Sequence, residues 1–122
     1  MQRNWELVRD ILTALEVRDT ARGVLRPEQV SGYPPEVVSY HFYILNEAGL
    51  IEASCFKPIS GPMDCNGRNL TWAGHEFLDS IRNDTAWNKI KTTAKSKGVD
   101  LSFEVIKQVA VVVIKGLLGA PT

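Results

Sequence analysis

The chain has 122 residues, of which 44% are hydrophobic and 23% charged, as is ordinary for one soluble globular domain with its own core. Fourteen basic residues balance fourteen acidic ones, so no global charge directs the protein to nucleic acid, to a membrane surface or to an acidic substrate. The charged N-terminal stretch MQRNWELVRD lacks the apolar core of a secretion signal, and we therefore expect a cytoplasmic protein.

The first third of the chain predicts a long helix, a short strand and a short helix. Asn4 can cap a helix that runs to about Arg18, because apolar side chains recur there at helical spacing. Residues 24–25 could form a short strand. Pro27 suits the first turn of a short second helix, which Gly32 would end.

Residues 35–48 predict an amphipathic third helix that leads straight into a strand. Pro35 fits the first turn, and Gly49 stands where a left-handed residue would end the helix. A histidine on the inward face is most simply a hydrogen-bonded structural residue. The predicted inward face carries Val37, His41, Ile44, Leu45 and Ala48, and the predicted outward face carries Glu36, Ser39, Tyr43 and Asn46.

Residues 50–72 predict a β-hairpin with a long, irregular tip. Turn-forming residues crowd the segment 57–67, and the pair Asn66-Gly67 strongly favours a tight reversal. Thr71 can then cap a helix, and the apolar stripe changes its angle near residues 83–85, where we expect either a kink or a restart of the helix.

The last predicted helix starts after Asp100 or Ser102 and runs to about Leu118 with an unusually wide apolar stripe. A stripe of that width needs two surfaces to pack against, so we expect a homodimer. Charged residues interrupt a segment that barely reaches spanning length, which disfavours a membrane partner. The candidate interface residues are Phe103, Ile106, Val109, Ala110, Val113, Ile114 and Leu117.

Two separated segments resemble winged helix-turn-helix repressors of the metal-sensing and multidrug-sensing kinds. HFYILNEAGLIEA (residues 41–53) is similar to the passage from the third helix into the wing, and LTWAGHEFL (70–78) to the passage from the wing into the next helix. The resemblance implies a mainly α, α+β fold: a winged helix-turn-helix with a small β-hairpin wing and additional C-terminal helices. The winged-helix domain would cover residues 1–83, and a helical extension for self-association would cover 84–118.

A longer string resembles a more particular family. LTWAGHEFLDSIRNDTAWNKIK (70–91), with the opening NWELVRDIL, looks like a group of small bacterial and phage-associated proteins classed as a domain of unknown function. That resemblance implies a winged-helix-like fold and an origin in bacteria or mobile elements. It carries no assigned activity and no catalytic residues.

The leading hypothesis for function is a small bacterial or phage transcription regulator that binds double-stranded DNA. In a winged helix, the third helix enters the major groove, and basic residues hold phosphates. The third helix has no Arg or Lys, however, and residues 34–72 hold two basic residues against four acidic ones. The candidate DNA contacts are Ser39, Tyr40, Tyr43 and Asn46, with Arg68, Lys89, Lys91 and Lys95 on phosphates.

The alternative hypothesis is a non-enzymatic protein-interaction module that keeps the fold without the nucleic-acid surface. Its predicted binding surface is aromatic and uncharged, formed by Tyr40, Phe42 and Tyr43. No nucleophile elbow or glycine-rich phosphate loop occurs, so we expect neither enzyme activity nor a cofactor.

The two cysteines leave three interpretations open. Cys55 and Cys65 fall on opposite arms of the predicted hairpin, and His75 follows, so the three could ligate zinc. No close cysteine pair or second histidine supports that site, and two thiols without a role are the simpler interpretation. A cross-hairpin disulfide is possible but disfavoured in a reducing compartment.

Overall fold

A computed structural model describes residues 1–18 and 23–118, without the side chain of Leu117. The described residues form five α-helices, one 3₁₀ helix and a two-stranded antiparallel hairpin, which confirms the predicted mixed α+β class. The elements are α1 (Trp5–Val17), the 3₁₀ helix (Pro27–Gln29), α2 (Pro35–Glu47), β1 (Ile51–Phe56), β2 (Asp64–Leu70), α3 (Trp72–Ile81), α4 (Asp84–Ser96) and α5 (Phe103–Leu117). Two compact units divide the chain, Met1–Glu76 and Phe77–Thr122.

Helix α1 forms where its cap and its apolar spacing predict it. The Asn4 side chain accepts hydrogen bonds from the backbone N–H groups of Glu6 and Leu7, which would otherwise lack partners in the first turn. Its inward face is fully buried and packs against α2 and β2. That face consists of Leu7, Val8, Ile11, Leu12 and Leu15.

Helix α2 is rotated from the predicted orientation. Its buried residues are Val38, Ser39, His41, Phe42 and Leu45, whereas Ala48 is exposed and Val37 and Ile44 are only half-buried. Helix α2 packs against both strands of the hairpin as well as against α1. The buried face of α2 therefore differs from the apolar stripe that helical spacing predicts, because the hairpin covers α2 on one side and α1 covers it on another.

The hairpin pairs β1 with β2, and its reversal lies between Phe56 and Asp64. The prediction of a tight reversal at Asn66-Gly67 is wrong, because both residues lie within β2. Gly67 instead exchanges two backbone hydrogen bonds with Leu25, of 2.7 and 2.8 Å, which adds a short third segment to the sheet edge. A Cβ atom on Gly67 would lie 3.3 Å from the side chains of Leu15 and Phe42, so this glycine serves packing.

The start of α3 is hydrogen-bonded to the short connection between α2 and β1. Gly49 has a φ of 78°, which confirms the predicted left-handed helix end. The next residue, Leu50, accepts a hydrogen bond from the Thr71 N–H (3.1 Å) through its carbonyl oxygen. Thr71 Oγ1 accepts from the Gly74 N–H (3.1 Å), so Thr71 caps α3 as predicted.

The second compact unit contains α4 and α5, which pack against each other. Asn83 caps α4 through the Ala86 N–H, at the predicted restart of the helical pattern. Ser102 caps α5 through the Val105 N–H. Phe77 and Phe103 stack with ring centroids 4.7 Å apart, in the geometry that aromatic pairs prefer.

His41 joins the start of α1 to α2. Its Nε2 accepts a hydrogen bond from the Asn4 N–H (2.8 Å), and its Nδ1–H donates to the Val37 carbonyl oxygen (2.8 Å). The residue is 0% exposed, so the prediction of a buried, hydrogen-bonded histidine is confirmed. Only the neutral ring fits this arrangement, because a proton on Nε2 would remove the acceptor. Burial accordingly lowers the pKa of His41 below 6.5.

We expect this histidine to make stability fall with acidity. Above its ordinary pKa of 6.5 the ring is neutral in both states, and its contribution is fully present. As the pH falls towards the lowered pKa of the folded state, the unfolded chain binds a proton that the folded chain does not, and stability is lost. Chemical denaturation of wild type and His41→Gln at about pH 7.5 and about pH 5.5 measures the effect.

The Gln variant should lose less stability than wild type over that interval, because its amide does not titrate there. His75→Gln is the matched control, since His75 is exposed on α3. Equal pH dependence of wild type and His41→Gln would contradict the assignment.

Candidate functional site

Ser39 faces the hairpin, so its predicted outward position is wrong. The residue is 4% exposed, and its Oγ donates to the Met63 carbonyl oxygen (2.9 Å) and accepts from the Cys65 N–H (2.8 Å). The hydroxyl is therefore used to fasten the hairpin to α2. Because the hydroxyl is buried against the hairpin, it is not available to contact a base or a phosphate.

The other candidate contacts on α2 lie beside Ser39 and are partly engaged. Tyr40 and Tyr43 are half-buried, with ring centroids 6.5 Å apart, and the Tyr43 hydroxyl donates to Glu47 (3.3 Å). Asn46 is exposed, and its side-chain oxygen accepts from the Ala53 N–H (3.0 Å) at the register shift of β1. Phe42 is 0% exposed, so the prediction that it belongs to an aromatic surface is wrong.

A groove of about 300 Å³ opens between the 3₁₀ helix, the start of α2 and the far end of the hairpin. We call it the hairpin groove. Three prolines and a methionine give it apolar walls, and three carboxylates stand among them. Its lining residues are Pro27, Glu28, Pro35, Glu36, Ser39, Pro62, Met63 and Asp64.

The hairpin groove is acidic. No Lys or Arg lines it, whereas Glu28, Glu36 and Asp64 are all exposed at its surface. The first compact unit as a whole has seven basic residues against ten acidic ones. A phosphate backbone entering here would meet like charge, which opposes the main source of affinity for duplex DNA.

The predicted phosphate contacts fall in both compact units. Arg68 is exposed on β2, in the first unit. Lys89, Lys91 and Lys95 are on α4, where the Lys91 ammonium lies 5.4 Å from the centre of the Trp87 ring. The second unit has seven basic residues against four acidic ones, so it carries a basic excess that balances the acidic excess of the first unit.

The predicted self-association face is largely internal. Ile106, Ala110 and Val113 are at most 8% exposed, so assigning them to a dimer interface is wrong. They are covered within one chain, because α5 packs against α4. Phe103, Val109 and Ile114 are half-buried, and the side chain of Leu117 lies outside the described residues. Self-association stays a prediction, and Val111 and Val112 are exposed apolar residues of α5.

The cysteines form a disulfide. Cys55 and Cys65 are direct partners across the hairpin, and their sulfur atoms are bonded. The expectation of two free thiols is therefore wrong, and no thiolate remains for zinc. Within residues 1–18 and 23–118, no group of His, Cys, Asp and Glu is arranged to hold a metal ion.

Sequence reasoning missed the hairpin groove, although a signal for it was present. Two Pro-Glu pairs, at residues 27–28 and 35–36, each start a helical turn. A proline at the first position of a helix leaves the next side chain at the exposed helix start, where a carboxylate is favourable. The sequence could not show that residues 62–64 close the same groove from the hairpin.

Comparison with known proteins identifies the family. Residues 2–100 match the family described as a hypothetical protein, DUF2513. The chain belongs to this family. It is also similar to an uncharacterized protein of Haemophilus influenzae, with 52% identity over 119 residues that cover 98% of this chain and 100% of the relative. The predicted resemblance to a domain of unknown function is confirmed.

The comparisons carry no activity with them. No solved structure matches the chain. None of the helices in the described part of the chain has the length and apolar character needed to cross a bilayer.

Proposed function

We propose that the chain is a non-enzymatic protein-interaction module with a winged-helix-type fold, and that it binds its partner on the side of α2 that faces the end of the hairpin. The order of elements supports this fold: α1, a short edge segment at Leu25, a 3₁₀ helix, α2 and then the hairpin. The hairpin would be the wing, and α2 would be the helix that DNA-binding relatives of the fold place in the major groove.

The acidic hairpin groove is the observation that carries this proposal. A duplex-reading winged helix needs cations where α2 and the wing meet, because affinity comes largely from neutralised phosphates. Here Glu28, Glu36 and Asp64 occupy that position, and Ser39 is turned into the hairpin. The same fold with carboxylates at this place suits a protein partner better than a polyanion.

Non-enzymatic character is supported by the way the polar groups of α2 are used. Ser39 and His41 carry the hydroxyl and the imidazole of α2 that would form a serine–histidine pair. Each is buried and hydrogen-bonded to backbone groups. A nucleophile and a base must reach each other and the substrate, but Ser39 is only 4% exposed and His41 is 0% exposed, and both use their polar atoms on the backbone.

Duplex DNA binding is a second candidate, favoured by the basic excess of the second unit. Lys89 and Lys95 are exposed on α4 in that unit, and they could hold phosphates without using α2. Such binding would depend steeply on salt and weakly on sequence, because phosphate contacts position a protein without reading bases.

Two measurements separate the candidates. In gel-shift assays at low and raised salt, we expect micromolar protein to retain no genomic fragment. Affinity capture followed by direct binding of the purified partner should find a protein whose binding is lost on Tyr43→Ala. Glu104→Gln in α5 is the matched surface control, because Glu104 is exposed in the second unit. A retained fragment that is released by Lys89→Glu would contradict the proposal and support the second candidate.

A further inference from the structure

We propose that the hairpin groove receives a positively charged side chain, flanked by an apolar residue, from an extended segment of the partner protein. This inference rests on the proposed function and names the chemistry of the partner. It joins three observations: the shape of the groove, its charge and the rigidity of its walls.

The groove has the size of a side-chain pocket. Its volume of about 300 Å³ lies at the lower end of the range for small-molecule sites. A helix laid across it would need a longer apolar trough, so the groove suits one or two side chains of an extended segment. Pro27, Pro35, Pro62 and Met63 offer apolar contact to the methylene groups that precede the charge of a Lys or Arg side chain.

The charges of the groove select a cation. Glu28 follows the proline that starts the 3₁₀ helix, Glu36 is in the first turn of α2, and Asp64 begins β2. These three acidic residues therefore line the groove from three different elements, and no Lys or Arg is among the lining residues to neutralise them. An arginine or lysine entering between them would gain charge-assisted hydrogen bonds.

The walls are held in place before any partner binds. Proline rings fix the backbone at three positions of the lining. Ser39 ties the Met63 carbonyl oxygen and the Cys65 N–H to α2, and the disulfide closes the loop behind them. A preformed groove loses little conformational entropy on binding, so a small contact area can still be selective.

Other occupants fit less well. The described residues contain no cluster able to hold a metal ion, so the three carboxylates are not a cation site of that kind. A polyanion is repelled. A second copy of the chain could present the lysines of α4, and sedimentation distinguishes that occupant from a separate partner.

The test is a selection for peptides that bind the hairpin groove. Random linear peptides displayed on phage are selected on the wild-type protein and depleted on Glu36→Lys. We expect the enriched peptides to contain Arg or Lys next to an apolar residue. In fluorescence anisotropy, one such labelled peptide should bind about threefold to fivefold more weakly to Glu36→Gln and to Asp64→Asn, as for exposed charge pairs, and more weakly at raised salt.

Glu52→Gln is the matched control, because Glu52 is exposed on β1 and does not line the groove. It should leave the affinity unchanged, and circular dichroism should show all variants folded. Enriched peptides without a cation, or equal affinity for wild type, Glu36→Gln and Asp64→Asn, would overturn the inference. If a captured protein still needed Tyr43, the proposed function would survive that result.

Sedimentation velocity of the protein alone tests whether the hairpin groove binds a second copy of the chain. A wild-type chain that self-associates and becomes monomeric on Glu36→Lys would assign the groove to a second copy and overturn the assignment to a separate partner. A sedimentation coefficient that Glu36→Lys leaves unchanged supports the assignment.

Discussion

Replacing Gly74 by alanine is expected to destabilise the fold by about 3 kcal/mol, at the upper end of the cost of overpacking. An added Cβ would collide with the backbone carbonyl oxygen of Leu50, which no rotamer change can move away. That carbonyl also accepts the hydrogen bond from the Thr71 N–H, so moving it would disturb the junction of the hairpin with α3.

Gly116 provides the matched control for this substitution. It lies in α5, and a Cβ there would meet nothing within 4 Å. Gly116→Ala should therefore not destabilise the protein and should stabilise it by at most about 0.5–1 kcal/mol, the gain of alanine over glycine in a helix interior, because Gly116 is in the last turn of α5. Denaturant unfolding of both variants measures the pair. A Gly74→Ala protein as stable as wild type would contradict the close approach of α3 to Leu50.

Removing the disulfide is expected to cost about 3 kcal/mol, from the chain entropy of the loop that it closes. The two cysteines are 10 residues apart in sequence. Cys55→Ser is the cleanest variant, because Cys55 is exposed while Cys65 is 0% exposed and keeps its packing. Met63 and Asp64 lie inside the loop, so the same variant should also bind the selected peptide more weakly.

Reduction of the wild type provides the control for the cross-link. With dithiothreitol present, wild type and Cys55→Ser should unfold at the same denaturant concentration, and without it wild type should be the more stable. Two reactive thiols in wild type that is unfolded without reductant would show that the Cys55–Cys65 disulfide is absent, and would contradict this prediction.

The path of the chain from helix to hairpin to helix was predictable because local signals and tertiary packing agree there. Four helices begin at a side chain that accepts a hydrogen bond from an N–H group of the first turn, namely Asn4, Thr71, Asn83 and Ser102. Gly49 ends α2 through its left-handed backbone conformation. Those requirements are local, so they can be seen in a single sequence.

Most of the predictions that failed concern which surface of the protein covers a given side chain. Ser39 is polar and has helical spacing from other outward residues, yet it is buried because the hairpin supplies two backbone partners for its hydroxyl. Ile106 and Val113 form an apolar stripe, and helical spacing cannot distinguish packing against α4 from packing against a second chain. Asn66-Gly67 has the sequence of a turn, but Gly67 lies within β2, where a Cβ would come within 3.3 Å of the side chains of Leu15 and Phe42.

The order of helices and the hairpin was thus determined by the sequence alone, since capping, helix termination and apolar spacing act over a few neighbouring residues. The tertiary structure alone decided the cross-link between Cys55 and Cys65, the rotation of α2 and the acidic groove. The physical reason is that Glu28, Glu36 and Asp64 belong to three separate elements. Only the packing of the hairpin on α2 brings them to one place.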